Sequence, residues 1–217
     1  MKKIGLLFVA LLLVVGCTKK LPKLPKPEVA SGFRGELGID KNINEETIDK
    51  YLFREDSVYR DMRDLVDEAD YSKIGGDSYL SGTIEGFEAI PFPKVVNVTG
   101  LPEEVGETYS GKTLFTYDEE EDTYTANYKE SMEYLEFYFP KDKYIFLLCG
   151  GGGYSGMMKN MLVKLGWDAD TIYVVGAHWS YKGNHNVQVK RTIDGKDHYD
   201  FWKITLHDIN FDYFNEV

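Results

Sequence analysis

The chain has 217 residues, 43% of them hydrophobic and 14% aromatic, with two cysteines and a formal net charge of −11. This length suits one domain with a sizeable core. The negative field opposes nucleic acid, and no basic stripe with interleaved aromatics interrupts it, so no nucleic-acid partner is expected.

The amino end reads as an export signal. Lys2 and Lys3 precede an apolar run from Ile4 to Val15. That run falls short of the roughly 20 residues a bilayer-spanning helix needs, but it has the charged start and apolar middle of a secretory signal. It ends in Val14-Val15-Gly16-Cys17, followed by Thr18-Lys19-Lys20. This ending resembles the lipobox of bacterial lipoproteins. The alternative is an ordinary signal peptide with an incidental cysteine. The resemblance implies a signal peptide over residues 1–16 and a Cys17 that carries lipid, palmitate included. The protein would then sit on the bacterial cell membrane, facing outside the cytoplasm. Cleavage would remove two of the positive charges. Residues 17–30, with Pro22, Pro25 and Pro27 among lysines, read as the lipid anchor and an extended spacer. With Cys17 lipidated, Cys149 is the one remaining thiol and no intrachain disulfide can form.

Residues 31–38 read as irregular. Asn44-Glu45-Glu46-Thr47 caps a predicted helix through Leu52. A short strand is predicted over Ser57–Arg63 and a helix over Asp64–Tyr71, broken at Gly75-Gly76-Asp77. Ser81 to Pro91 is a loop leading into a strand. Two alternating runs, Thr113–Tyr117 and Thr123–Tyr128, flank the acidic stretch Asp118–Asp122 and predict a β-hairpin. Its acidic tip lacks the spaced ligands of a calcium loop. Lys129 to Phe139 is a predicted helix stopped by Pro140. Thr171–Val175 is a second buried strand. Residues 184–217 predict a β extension packed on the domain, with a turn at Asp194-Gly195-Lys196 and a further strand over Phe201–Leu206. His178, His185, His198 and His207 lack compact ligand spacing, so no metal and no cofactor is expected.

The stretch Tyr144–Gly156 carries the most information. Five apolar residues, Ile145 to Cys149, run into Gly150, Gly151, Gly152 and Gly153. Such a run reads as a strand buried on both faces. Met157, Met158, Met161, Leu162 and Leu165 then recur at helical spacing. The thiol therefore lies at the carboxyl end of a strand and the amino end of a helix. Backbone N–H groups and the helix dipole favour negative charge there, which makes a thiolate easier to form. A cysteine at a strand end also packs as a small hydrophobe; the glycine loop favours a reactive and accessible one. Strands alternating with helices predict an α/β fold, a central parallel sheet flanked by helices on both faces, with ligands beyond the carboxyl ends of its strands.

The order of motifs resembles a rhodanese domain over residues 31–183. Arg60-Asp61-Met62-Arg63 resembles the end of that family's early strand, and Gly82-Thr83-Ile84-Glu85-Gly86 with Ala89-Ile90-Pro91 resembles its Gly-His-Ile-x-Gly-Ala segment. Lys141-Asp142-Lys143 through Cys149 resembles its catalytic strand and loop. Leu165-Gly166-Trp167, Val174–Ala177 and Trp179 resemble the segment after it. Residues 94–128 would be an insertion. The resemblance implies sulfur transfer. Cys149 would take sulfur from a small donor such as thiosulfate, hold it as a persulfide, and yield it to a thiol or cyanide. Gly150, Gly151, Gly152, Gly153, Tyr154 and Ser155 would cradle the anion, and Asp61 and Arg63 would brace the loops. Two departures stand out: Tyr154 occupies a place where many family members carry arginine, and Thr83 replaces the motif histidine. A binding module that keeps the fold without catalysis is the alternative reading.

Overall fold

The structure, a computed structural model, describes residues 21–30, 38–65, 81–97 and 111–217. The signal segment, Cys17, residues 31–37, the body of the helix expected from Asp64 and the break at Gly75-Gly76-Asp77 lie outside the described residues. In chain order the strands are β1 (Ser57–Asp61), β2 (Gly82–Ile84), β3 (Glu88–Ala89), β4 (Phe115–Asp118), β5 (Thr123–Ala126), β6 (Tyr144–Cys149), β7 (Ile172–Ala177), β8 (Asn186–Gln188), β9 (Lys190–Ile193) and β10 (Lys196–Tyr199). The α-helices are α1 (Phe92–Val95), α2 (Ser131–Tyr138) and α3 (Gly153–Lys164).

A four-stranded parallel sheet in the order β3-β1-β6-β7 forms the centre. Its amino ends lie level, with Ser57 opposite Tyr144 and Ile145 opposite Ile172. A bulge between Leu147 and Leu148 shifts the β6–β7 register, so Leu148 pairs with Gly176. Gly176 has φ +102°, and a Cβ there would lie 2.7 Å from Ile39, so the site requires glycine.

The apolar run of β6 is buried on both faces, as its composition requires. Ile145, Leu147 and Cys149 join one cluster with Leu135 and Phe139 beside α2 and Met158, Met161 and Leu162 of α3. Phe146 and Leu148 point the other way, and Phe146 stacks between Tyr59 and Tyr173 at 5.0 Å from each ring. Among the described residues, the expected flanking by α-helices is seen on one face of the sheet. Among the described residues, α2 and α3 serve the first cluster, whereas Ile43, Ile48 and Leu52 cover the second from turns and a single 3-10 turn at Ile48–Lys50. The α-helix expected from Asn44 to Leu52 is replaced for a local reason. The Asp40 carboxylate accepts from the amides of Asn42 and Ile43, and the Asn44 and Thr47 side chains bond nearby backbone, which competes with helical hydrogen bonding.

Residues 21–30 are extended but are not a detached spacer. Leu24 is buried in the second cluster, Tyr173 Oη donates to the Pro25 carbonyl at 2.7 Å, and Arg54 donates to the Pro22 carbonyl at 2.9 Å. The hairpin β4–β5 forms as expected around the acidic tip. In the tail, β9 and β10 form a hairpin whose turn residues Asp194 and Gly195 both have positive φ. The strand expected at Phe201–Leu206 is instead a 3-10 turn at Phe201–Lys203, after which the chain straps the edge of β3 through Ala89–Leu206 bridging.

Candidate functional site

Three neighbouring parallel strands end side by side at Asp61, Cys149 and Ala177. Cys149 leads directly into the glycine loop and α3. Gly152 caps that helix in the left-handed conformation, φ +93°, which a side chain would strain. Its N–H points at the cysteine, with nitrogen and Sγ 3.0 Å apart. Ser155 Oγ lies 3.6 Å from Sγ and donates to the Gly152 carbonyl at 3.0 Å. The Trp179 amide donates to the Gly150 carbonyl at 3.3 Å, which ties the loop to the end of β7. Gly152 and Ser155, both expected in the cradle, therefore reach the sulfur. Gly150, Gly151 and Gly153 are buried around it, and Tyr154 is half-buried with its ring 5.3 Å from that of Phe92. The sulfur faces the Gly152 amide and the positive end of a twelve-residue helix, a setting that stabilises an anion.

The expected accessibility needs correction. Cys149 is 0% exposed and belongs to the apolar cluster that includes Met62, Phe92 and Met158. The same glycines that let amides turn inward also let the loop close tightly over the sulfur.

Asp61 and Arg63 come together as a buried pair, each side chain 1% exposed. The guanidinium donates from Nε to one carboxylate oxygen at 2.8 Å and from Nη2 to the other at 2.5 Å. Nη2 also donates to the Gly82 carbonyl, and Thr83 Oγ1 donates to Asp61 at 2.7 Å. The motif that holds Gly82 and Thr83 is legible in the sequence; this bond is not. Gly82 itself must be glycine, because a Cβ would meet the Val187 carbonyl at 2.5 Å. His178, just past β7, bonds Asn186 Oδ1 through Nε2 at 2.9 Å; nothing in the sequence pointed to Asn186. Burial first, and the Arg63 charge second, hold His178 below its ordinary pKa of 6.5.

The acidic tip is engaged locally. Asp118 accepts from the amides of Glu120 and Glu121, and Asp122 accepts from Tyr117 Oη and pairs with Lys164. Among the described residues, no group of three or more His, Cys, Asp or Glu side chains could hold a metal ion. Nor is any described helix long and apolar enough to cross a membrane.

Two outcomes follow from the polar frame. Asp61→Ala leaves the Arg63 charge buried without its carboxylate, and urea unfolding should show a loss of about 3–5 kcal/mol. His178 is held neutral, so the unfolded chain binds a proton first as pH falls below about 6.5, and stability should drop from there. Urea unfolding across that range should show the drop in the wild type and its reduction in His178→Gln.

Comparison of the chain with protein-family models, with curated proteins and with solved structures gave no match.

Proposed function

We propose that this chain is a rhodanese-like protein, tethered by lipid on Cys17 to the outer side of a bacterial cell membrane, in which Cys149 carries sulfur between small molecules. The observation that carries this reading is the Gly152 amide on Cys149 Sγ at the start of α3, at the carboxyl end of a central strand of a parallel sheet. The order of motifs and the lipobox-like ending at Cys17 support it from the sequence.

The step balances with an anionic donor such as thiosulfate. The Cys149 thiolate attacks the outer sulfur, a new S–S bond forms, and the bond to the inner sulfur breaks. Sulfite leaves with that electron pair, and Cys149 is left as a persulfide anion. Cyanide then attacks the outer sulfur and departs as thiocyanate, which restores the thiolate; a thiol acceptor would leave as its own persulfide. The Gly152 amide donates to the sulfur anion at both stages, and Ser155 joins it where its hydroxyl proton turns from the Gly152 carbonyl toward Sγ, 3.6 Å away. Because Sγ is fully buried, the reaction requires the loop to open locally. Tyr154, half-buried while its loop neighbours are buried, marks the solvent side where that opening would occur.

A second reading has its own support. The buried sulfur and the lack of any Lys or Arg over residues 150–156 favour a rhodanese-fold binding module without catalysis. Intact mass separates the two. Residues 18–217 incubated with thiosulfate or a polysulfide should gain the mass of one sulfur atom, and Cys149→Ser should gain none. Absence of the adduct with both donors, while Cys149 still alkylates in the folded protein, would leave the binding module.

A further inference from the structure

The docked amino-terminal segment determines which end of the sheet the anchor leaves from. Pro22 accepts from Arg54, three residues before β1 begins, and Pro25 accepts from Tyr173, the second residue of β7. Lys26 pairs with Asp170, just before β7, and Leu24 is buried between them. Residues 22–26 thus run across the amino ends of the parallel strands. Cys149, Asp61 and Ala177 occupy the carboxyl ends.

We infer that the short tether holds the amino-end edge of the sheet near the membrane and directs the Cys149 end into the aqueous phase, so that both reaction partners of Cys149 are water-soluble and arrive from outside the bilayer. The inference rests on the proposed lipid anchor at Cys17. Four residue steps separate Cys17 from Leu21, a reach of at most about 14 Å. Within β6 alone, the five residue steps from Tyr144 to Cys149 span roughly 17 Å. A tether that short lets the domain tilt while the amino-end edge stays nearest the bilayer. It cannot pass around the domain to lay the carboxyl edge on lipid. Surface charge does not set this orientation. The acidic tip at Asp118–Asp122 pairs with Lys164 at the last turn of α3, which runs back toward the same amino-end edge, and it repels anionic headgroups. Geometry of the chain, rather than attraction of the surface, fixes which end points outward.

The test uses the full chain in phosphatidylcholine vesicles carrying a headgroup energy acceptor. In a Cys149→Ser background, a donor dye is placed on Asp142→Cys, in the loop before β6, or on Ser180→Cys, beyond β7; both positions are exposed. The expected result is several-fold stronger energy transfer from position 142 than from position 180. A flexible Gly-Ser insertion between Lys20 and Leu21 should reduce that difference. Equal transfer from the two positions, stronger transfer from position 180, or a difference that the insertion leaves unchanged would each overturn the inference while leaving the anchor intact. If the chain with Cys17 present does not associate with vesicles, or if Cys17→Ser associates equally well, the anchor reading fails and takes the inference with it.

Discussion

One hydrogen bond, from the Gly152 amide to Cys149 Sγ, ties the sheet, the loop and α3 into a single chemical device. Gly152 turns the chain in the left-handed conformation, and that turn starts the helix whose positive end faces the sulfur. Magnitudes show what this device can do. Burying an isolated charge costs several kcal/mol. A hydrogen bond to a charged group returns about 1.5–3 kcal/mol, and a helix terminus up to about 2 kcal/mol. The terms are close to balance, so admission of water beside Tyr154 decides whether a sulfur anion persists.

The polar frame around this device has a positional role. A buried ion pair such as Asp61–Arg63 contributes little net stability over an apolar pair of the same shape, because both charges lose their water. What it supplies is direction. Asp61 ends β1, and Arg63 and Thr83 fasten that end to β2, which pairs with β8. Asn186 of β8 in turn meets His178 after β7. The carboxyl ends of β1 and β7, on either side of Cys149, are thereby linked through buried hydrogen bonds rather than through apolar contact alone.

The sequence made the centre of the fold legible because its signals are strong and local. A five-residue apolar run can only be buried, the glycines can only be a turn, and the spaced methionines and leucines can only be a helix facing the sheet. The acidic hairpin was legible from two alternating runs around charges. Elements governed by side chain to backbone bonds were not: Asp40, Asn44 and Thr47 turned an expected helix into turns. Nor was the docking of residues 21–30, which depends on Leu24, Tyr173 and Arg54 meeting across the fold. For the site, Cys149, Gly152, Ser155, Asp61 and Arg63 were legible as types in a pattern. The closure of the loop over the sulfur was not, since the same glycines permit an open cradle or a sealed one.

The account requires that Cys149 be reached by opening of its loop and not by unfolding of the domain. The direct measurement is the rate at which iodoacetamide alkylates Cys149 in the native protein as urea is raised through the range below the unfolding transition. Local opening exposes little surface, so the account predicts a measurable rate in water that barely changes with urea. A rate that rises with urea in proportion to the globally unfolded fraction would mean that the sulfur is sealed in the core, and would contradict it.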